Sequence, residues 1–185
     1  MLIISVLIYL LLSMLLSLRV FGKITFSRLV VFFLLVTSSL NILVAELLSV
    51  LNSLDQAWFF LLIQVVVSLV VGILLWDPRK RIFPQPLSTF KFEVHKPLGL
   101  DWLLIGLISV ILLLAIYLGS LVPINNSDSL QTHLPRIYYW IQHGSLASWD
   151  AVIVTQINKP INLSLQGLWL FLLGGSEMLF FLATW

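Results

Sequence analysis

Five apolar runs divide this chain, and each is long or nearly long enough to cross a bilayer core, which takes about 20 consecutive residues. The first covers Leu2 to Leu18. The second covers Leu29 to Leu51 and holds one acidic residue, Glu46, near its far end. The third covers Ala57 to Trp76 and is closed by Asp77-Pro78. The fourth covers Trp102 to Val122, bounded by Asp101 and Pro123. The fifth starts near Leu163 and is still apolar at Trp185. It contains Gly174, Gly175 and Glu177, so it reads as two half-spans or one broken helix. Only 10% of the 185 residues are charged and 60% are hydrophobic, against about 25% charged in soluble domains. A water-soluble globule and a disordered chain are both excluded. The expected fold is all-α: a polytopic transmembrane bundle of about five spans.

The first run has no basic region before it and no small-residue cleavage site after it. It reads as a span rather than a signal peptide. Basic residues then set the orientation. Arg19, Lys23 and Arg28 follow the first run, and Arg79, Lys80, Arg81, Lys91 and Lys96 follow the third. Only Arg136 and Lys159 lie in the long segment 123–162, and none lies in the turn Asn52 to Gln56. By the positive-inside rule the basic loops are cytoplasmic, while the N-terminus and 123–162 face the other side. A bacterial inner or plasma membrane is the expected location. Trp58, Trp76 and Trp102 fall near span ends, where interfacial aromatics belong. The expected parts are a three-span region over 1–76, a proline-rich cytoplasmic linker over 77–101, and a third part over 102–185. Cysteine is absent, which removes disulfides, thiolates and cysteine metal sites. A net charge of +2 spread over short loops leaves no clustered basic face for nucleic acid.

The chemistry concentrates in 123–162. Ser127 or Asp128 can cap a helix, and Leu130, Leu134, Ile137 and Ile141 then form an apolar stripe at helical spacing. Asp128, Thr132, Arg136, Tyr139 and His143 share the other face, and His133 and Trp140 lie on the boundary. Pro135 kinks the helix or starts a new one, and Gly144 stops it. The expectation is an amphipathic helix over 129–143 in the membrane interface. Plainer roles stand beside the chemical ones. Asp128 can act only as a cap, Arg136 can anchor to lipid phosphates, and Tyr138, Tyr139 and Trp140 can form an aromatic belt. His133 and His143 match no usual zinc spacing. Asp150 fits a turn, and Glu46 and Glu177 lie close enough to run ends to be solvated.

Ser127-Asp128, with THLPRIYYWIQHGS over 132–145, resembles the first external loop of polytopic membrane glycosyltransferases of the GT-C fold. That group includes the protein mannosyltransferases and the bacterial aminoarabinose transferase. The matching positions are Asp128, His133-Leu134-Pro135-Arg136, Tyr139-Trp140 and Gln142-His143, with Gln156 and Lys159-Pro160 downstream. The resemblance covers about 60 residues and none of the first three runs. It implies transfer of a sugar from a polyprenyl-phosphate donor to an acceptor on the non-cytoplasmic face, with membrane lipid as surroundings. Asp128 would be the catalytic carboxylate, taking the acceptor's proton. Arg136, His133 and Tyr139 would bind substrate or phosphate, Arg136 as a bidentate fork. A divalent metal near the carboxylate is open, and no cofactor is fixed. The family places this loop after its first span, whereas here three spans precede the module. The chain is therefore expected to be the N-terminal part of a longer enzyme, inactive by itself. A non-catalytic membrane subunit or scaffold is the alternative. A transporter is disfavoured, since no mid-span carboxylates or inverted repeats are seen.

Overall fold

The computed structural model describes residues 1–21, 26–75, 99–121, 124, 126–151 and 153–184. Among them all regular structure is helical: α1 (Leu2–Phe21), α2 (Phe26–Val50), α3 (Ala57–Leu75), α4 (Gly99–Leu121), a π-helical turn (Ser129–His133), α5 (Leu134–His143), α6 (Thr155–Asn158), α7 (Asn162–Gly174), a 3-10 turn (Glu177–Phe180) and α8 (Phe181–Thr184). Two of these, α2 and α3, are long and apolar enough to cross a membrane. The expected linker over 77–101 lies outside the described residues except for 99–101.

The chain divides into two compact units. The first comprises Met1–Val94 and His143–Leu146. Here α1 packs on α2 and α3, and α2 packs on α3. The helices meet along polar residues. Ser5, Tyr9, Ser13 and Ser17 recur one turn apart on α1 and are wholly buried, as are Asn41 of α2 and Gln64 of α3. Ser5 Oγ donates to Gln64 Oε1 at 2.7 Å, and Gln64 Nε2 returns a bond to the Ser5 carbonyl at 3.1 Å. The Tyr9 hydroxyl donates to Asn41 Oδ1. Leu7, Leu11, Leu34, Leu62 and Ile73, by contrast, are exposed. This unit has a polar seam and an apolar exterior, the reverse of a water-soluble bundle.

Asn52 ends α2 in the left-handed region (φ 48°), and the Ser53 N–H bonds back to the Leu48 carbonyl at 3.0 Å, closing the helix as a Schellman turn. Gly144 lies against that turn, its carbonyl accepting from the Leu54 N–H at 3.0 Å. A Cβ at Gly144 would come within 2.6 Å of the Asn52 carbonyl oxygen, and its φ is +66°. Only glycine meets both conditions.

The second unit comprises His95–Gln142 and Ala147–Trp185. The described large apolar side chains of α4, from Leu103 to Leu121, are exposed. The run expected to start near Leu163 and continue to Trp185 is not one helix. α7 stops at Gly174, and Gly175 adopts φ 71° with its N–H on the Phe171 carbonyl, so the left-handed residue turns the chain out of the helix.

Candidate functional site

Pro135 shapes the segment that carries the site. It has no N–H to give the Gln131 carbonyl one turn back, and its ring crowds that turn. The chain responds by widening: residues 129–133 are π-helical, and the Leu134 N–H bonds to the Ser129 carbonyl. The Gln156 side-chain amide takes the vacated place on the Gln131 carbonyl at 2.8 Å. The helix is capped by neither Ser127 nor Asp128. Asn126 Oδ1 accepts from the Ser129 N–H at 2.7 Å, and Asp128 makes no cap bond.

The buried face also differs from the expected stripe. Ser129, Thr132, His133, Leu134, Arg136, Ile137 and Trp140 are buried, whereas Leu130 is 48% exposed. The wide turn rotates Leu130 off the inner face, and α7 fits close against the other side. Gly167 of α7 has no side chain where a Cβ would strike Phe180 and Ile137, and this close approach brings Ser164 to His133.

Freed from capping, the Asp128 carboxylate is half exposed and forms an ion pair with Lys159. Its other oxygen faces His133 Nε2 at 3.4 Å. The Lys159 hydrogen bond holds the carboxyl below its ordinary pKa, opposed by some desolvation and helped by the adjoining His133, the Lys159 charge and a hydrogen bond with Thr132. His133 is buried, bonded through Nδ1 to Ser164 Oγ at 2.8 Å, and tilted against Phe180. Burial lowers its pKa, opposed by the neighbouring carboxylate.

Arg136 departs most from expectation. Rather than presenting a fork to a phosphate, it is 1% exposed. Its Nε donates to the Gln156 carbonyl at 2.8 Å, Nη2 to that of Lys159 at 3.0 Å, and Nη1 to that of Pro160 and to Ser164 Oγ, both at 3.3 Å. Every nitrogen is engaged, and the Trp140 ring lies 5.8 Å from the guanidinium. A buried guanidinium needs acceptors to offset its lost hydration, and the stretch from Gln156 of α6 to Ser164 of α7 supplies them. Arg136 shapes that loop and so delivers Lys159 to Asp128.

Tyr139 stacks on Trp149, with centroids 4.2 Å apart and planes 19° from parallel. Tyr138 donates to Glu177, and burial, reinforced by that carboxylate, pushes its hydroxyl up to about 12. The structure thus brings Asp128 and His133 together, adds Lys159 and Ser164, assigns Arg136 to the frame and packs Tyr139 on Trp149. Asp128, His133 and Ser164 follow the order of a charge-relay triad. Ser164 is wholly buried and accepts from Arg136, so no substrate carbonyl can reach it. Among the described residues no three His, Asp or Glu side chains are grouped so as to hold a metal ion. No protein-family model, curated protein or solved structure matches this chain.

Proposed function

We propose that this chain belongs to a multi-pass membrane glycosyltransferase that moves a sugar from a polyprenyl-phosphate donor to an acceptor on the non-cytoplasmic face, with Asp128 taking the acceptor's proton. The observation that carries the reading is Asp128 itself. It is an exposed, ionised carboxylate with no structural cap to serve, anchored beside a cation and a buried imidazole. A base must be deprotonated at working pH and open to substrate. Lys159, not Arg136, is the cation within reach of a phosphate.

The membrane setting has its own support. A polar seam under an apolar exterior suits a bundle surrounded by lipid, where helices associate through hydrogen bonds and close packing. An apolar helix whose large side chains are exposed along its length, as those described on α4 are, needs lipid or protein around it. Eight basic residues in two segments against two in 123–162 orient the spans.

A second reading, a non-catalytic membrane subunit, is favoured by the closed Asp128–Lys159 pair, which a purely structural role would also explain. One experiment separates the two. Membranes carrying the full-length protein are supplied with polyprenyl-phosphate-linked sugars labelled on the sugar, and transfer is followed. Asp128→Asn is expected to lower the rate by about 10²–10⁴-fold, and Asp150→Asn to leave it unchanged. Equal rates for the wild type and Asp128→Asn, or no transfer by either, would overturn the enzymatic reading and leave the subunit.

A further inference from the structure

Ser164 Oγ sits between Arg136, whose role is chemically fixed, and His133 Nδ1, whose role follows from the tautomer. Arg136 has only donors to offer, so at 3.3 Å from Nη1 the hydroxyl oxygen accepts. Its single proton is then available to His133 Nδ1, 2.8 Å away. A neutral imidazole that accepts at Nδ1 carries its proton on Nε2. At the other end of the ring Nε2 faces the Asp128 carboxylate at 3.4 Å, where a bare nitrogen would set lone pair against anion. The Asp128 end of the ring demands this tautomer, and the Ser164 end accommodates it. The guanidinium that starts the chain cannot turn, because three backbone carbonyls hold it.

We infer that Arg136 and Ser164 form a positioning relay that locks His133 as its Nε2–H tautomer, so that the ring donates to Asp128 and fixes the direction of the carboxylate left for substrate. Ser164, assigned no role by sequence reasoning, is therefore a positioning residue. Lys159 aims Asp128 from the solvent side and His133 from beneath, beside a hydrogen bond with Thr132. Preorganisation of this kind keeps a reacting group within a narrow range of productive geometry. Calling Asp128 the reacting group rests on the proposed function; the tautomer and the hydrogen-bond order do not.

The test therefore uses no substrate. The intact chain in detergent micelles is labelled with ¹⁵N-histidine, and the His133 signals are identified by their loss in His133→Gln. At neutral pH the wild type should show a protonated Nε2 and a bare, hydrogen-bonded Nδ1. A proton on Nδ1, a doubly protonated ring or an even mixture of tautomers overturns the relay. Ser164→Ala should release the ring into a mixture and move the Asp128 carboxyl ¹³C signal at neutral pH, where part of the population loses the Nε2–H donor. An unchanged tautomer or an unmoved carboxyl in that variant also overturns it. A locked tautomer together with full sugar transfer by Asp128→Asn would leave the relay standing and remove the proposed function instead.

Discussion

The side-chain amide of Gln156 donates at 2.8 Å to the carbonyl of Gln131, the one that Pro135 leaves without a helical donor. A proline that would only weaken a helix is thereby turned into a tether between the π-helical turn and α6. If so, the energies at Pro135 and Gln156 depend on each other. Gln156→Ala should destabilise the wild type by about 0.5–1.5 kcal/mol, the usual worth of one hydrogen bond. It should have little effect in Pro135→Ala, whose new N–H serves the same carbonyl. A double-mutant cycle of denaturant unfolding in micelles measures the coupling; additive losses would show that the tether carries no energy.

Arg136→Lys should behave as a folding defect rather than a binding defect. An ammonium cannot span the carbonyls of Gln156, Lys159 and Pro160 together, and the buried acceptors it abandons cost about 1–3 kcal/mol each. Unfolding should shift by several kcal/mol, and amides near 156–160 should exchange faster. A variant of normal stability that had lost only phosphate affinity would return Arg136 to the role expected from sequence.

Acid should weaken the second unit in two stages. The His133 pKa is depressed in the folded chain, mainly by burial, from an ordinary 6.5. On acidification the unfolded chain is protonated there first, so stability present above about 6.5 declines as pH falls toward the folded value. The Asp128 pKa is also depressed, chiefly by Lys159, from 3.8, so a second loss begins below that pH. Unfolding midpoints followed from neutral pH to about pH 3 should lose the first stage in His133→Gln and the second in Asp128→Asn.

In the first unit, Asn41→Leu should destabilise although it makes the helix more apolar. It removes the acceptor of the Tyr9 hydroxyl, and interhelical bonds of this kind are worth about 0.6–2 kcal/mol. Tyr9→Phe in the same background should recover part of the loss, since the hydroxyl that this acceptor served goes with it. A gain in stability from Asn41→Leu alone would mean that the polar seam does not hold the helices.

Orientation is open to direct labelling because the chain has no cysteine. Single cysteines at Ser148, which is exposed, and at Ser88 should differ toward an impermeant thiol reagent added outside intact cells. Ser148→Cys should react and Ser88→Cys should not. The opposite pattern reverses the topology.

Helix positions were largely legible from composition: the four leading runs lie within a few residues of α1 to α4, because uninterrupted apolar sequence leaves few other options. The Gly174-Gly175 break was also visible, as a choice between half-spans and a broken helix. The seam on α1 carried a signal that hydropathy obscures, since Ser5, Tyr9, Ser13 and Ser17 repeat at helical spacing among leucines. Asn126 could not be chosen over Ser127 or Asp128 as the cap, because all three have suitable side chains and the wide turn at Pro135 alters the phase. The fate of Arg136 was not legible at all. Three of its four acceptors are backbone carbonyls, and every residue type has one.

That anonymity separates scaffolding from chemistry. Between Gln156 and Pro160 the backbone answers to Arg136, while the side chain of Lys159 answers to Asp128. The clasp cannot tell which side chain stands at 159. A substitution there would change what meets the carboxylate without loosening the loop that presents it, so the partner of Asp128 can be varied over a frame that stays in place.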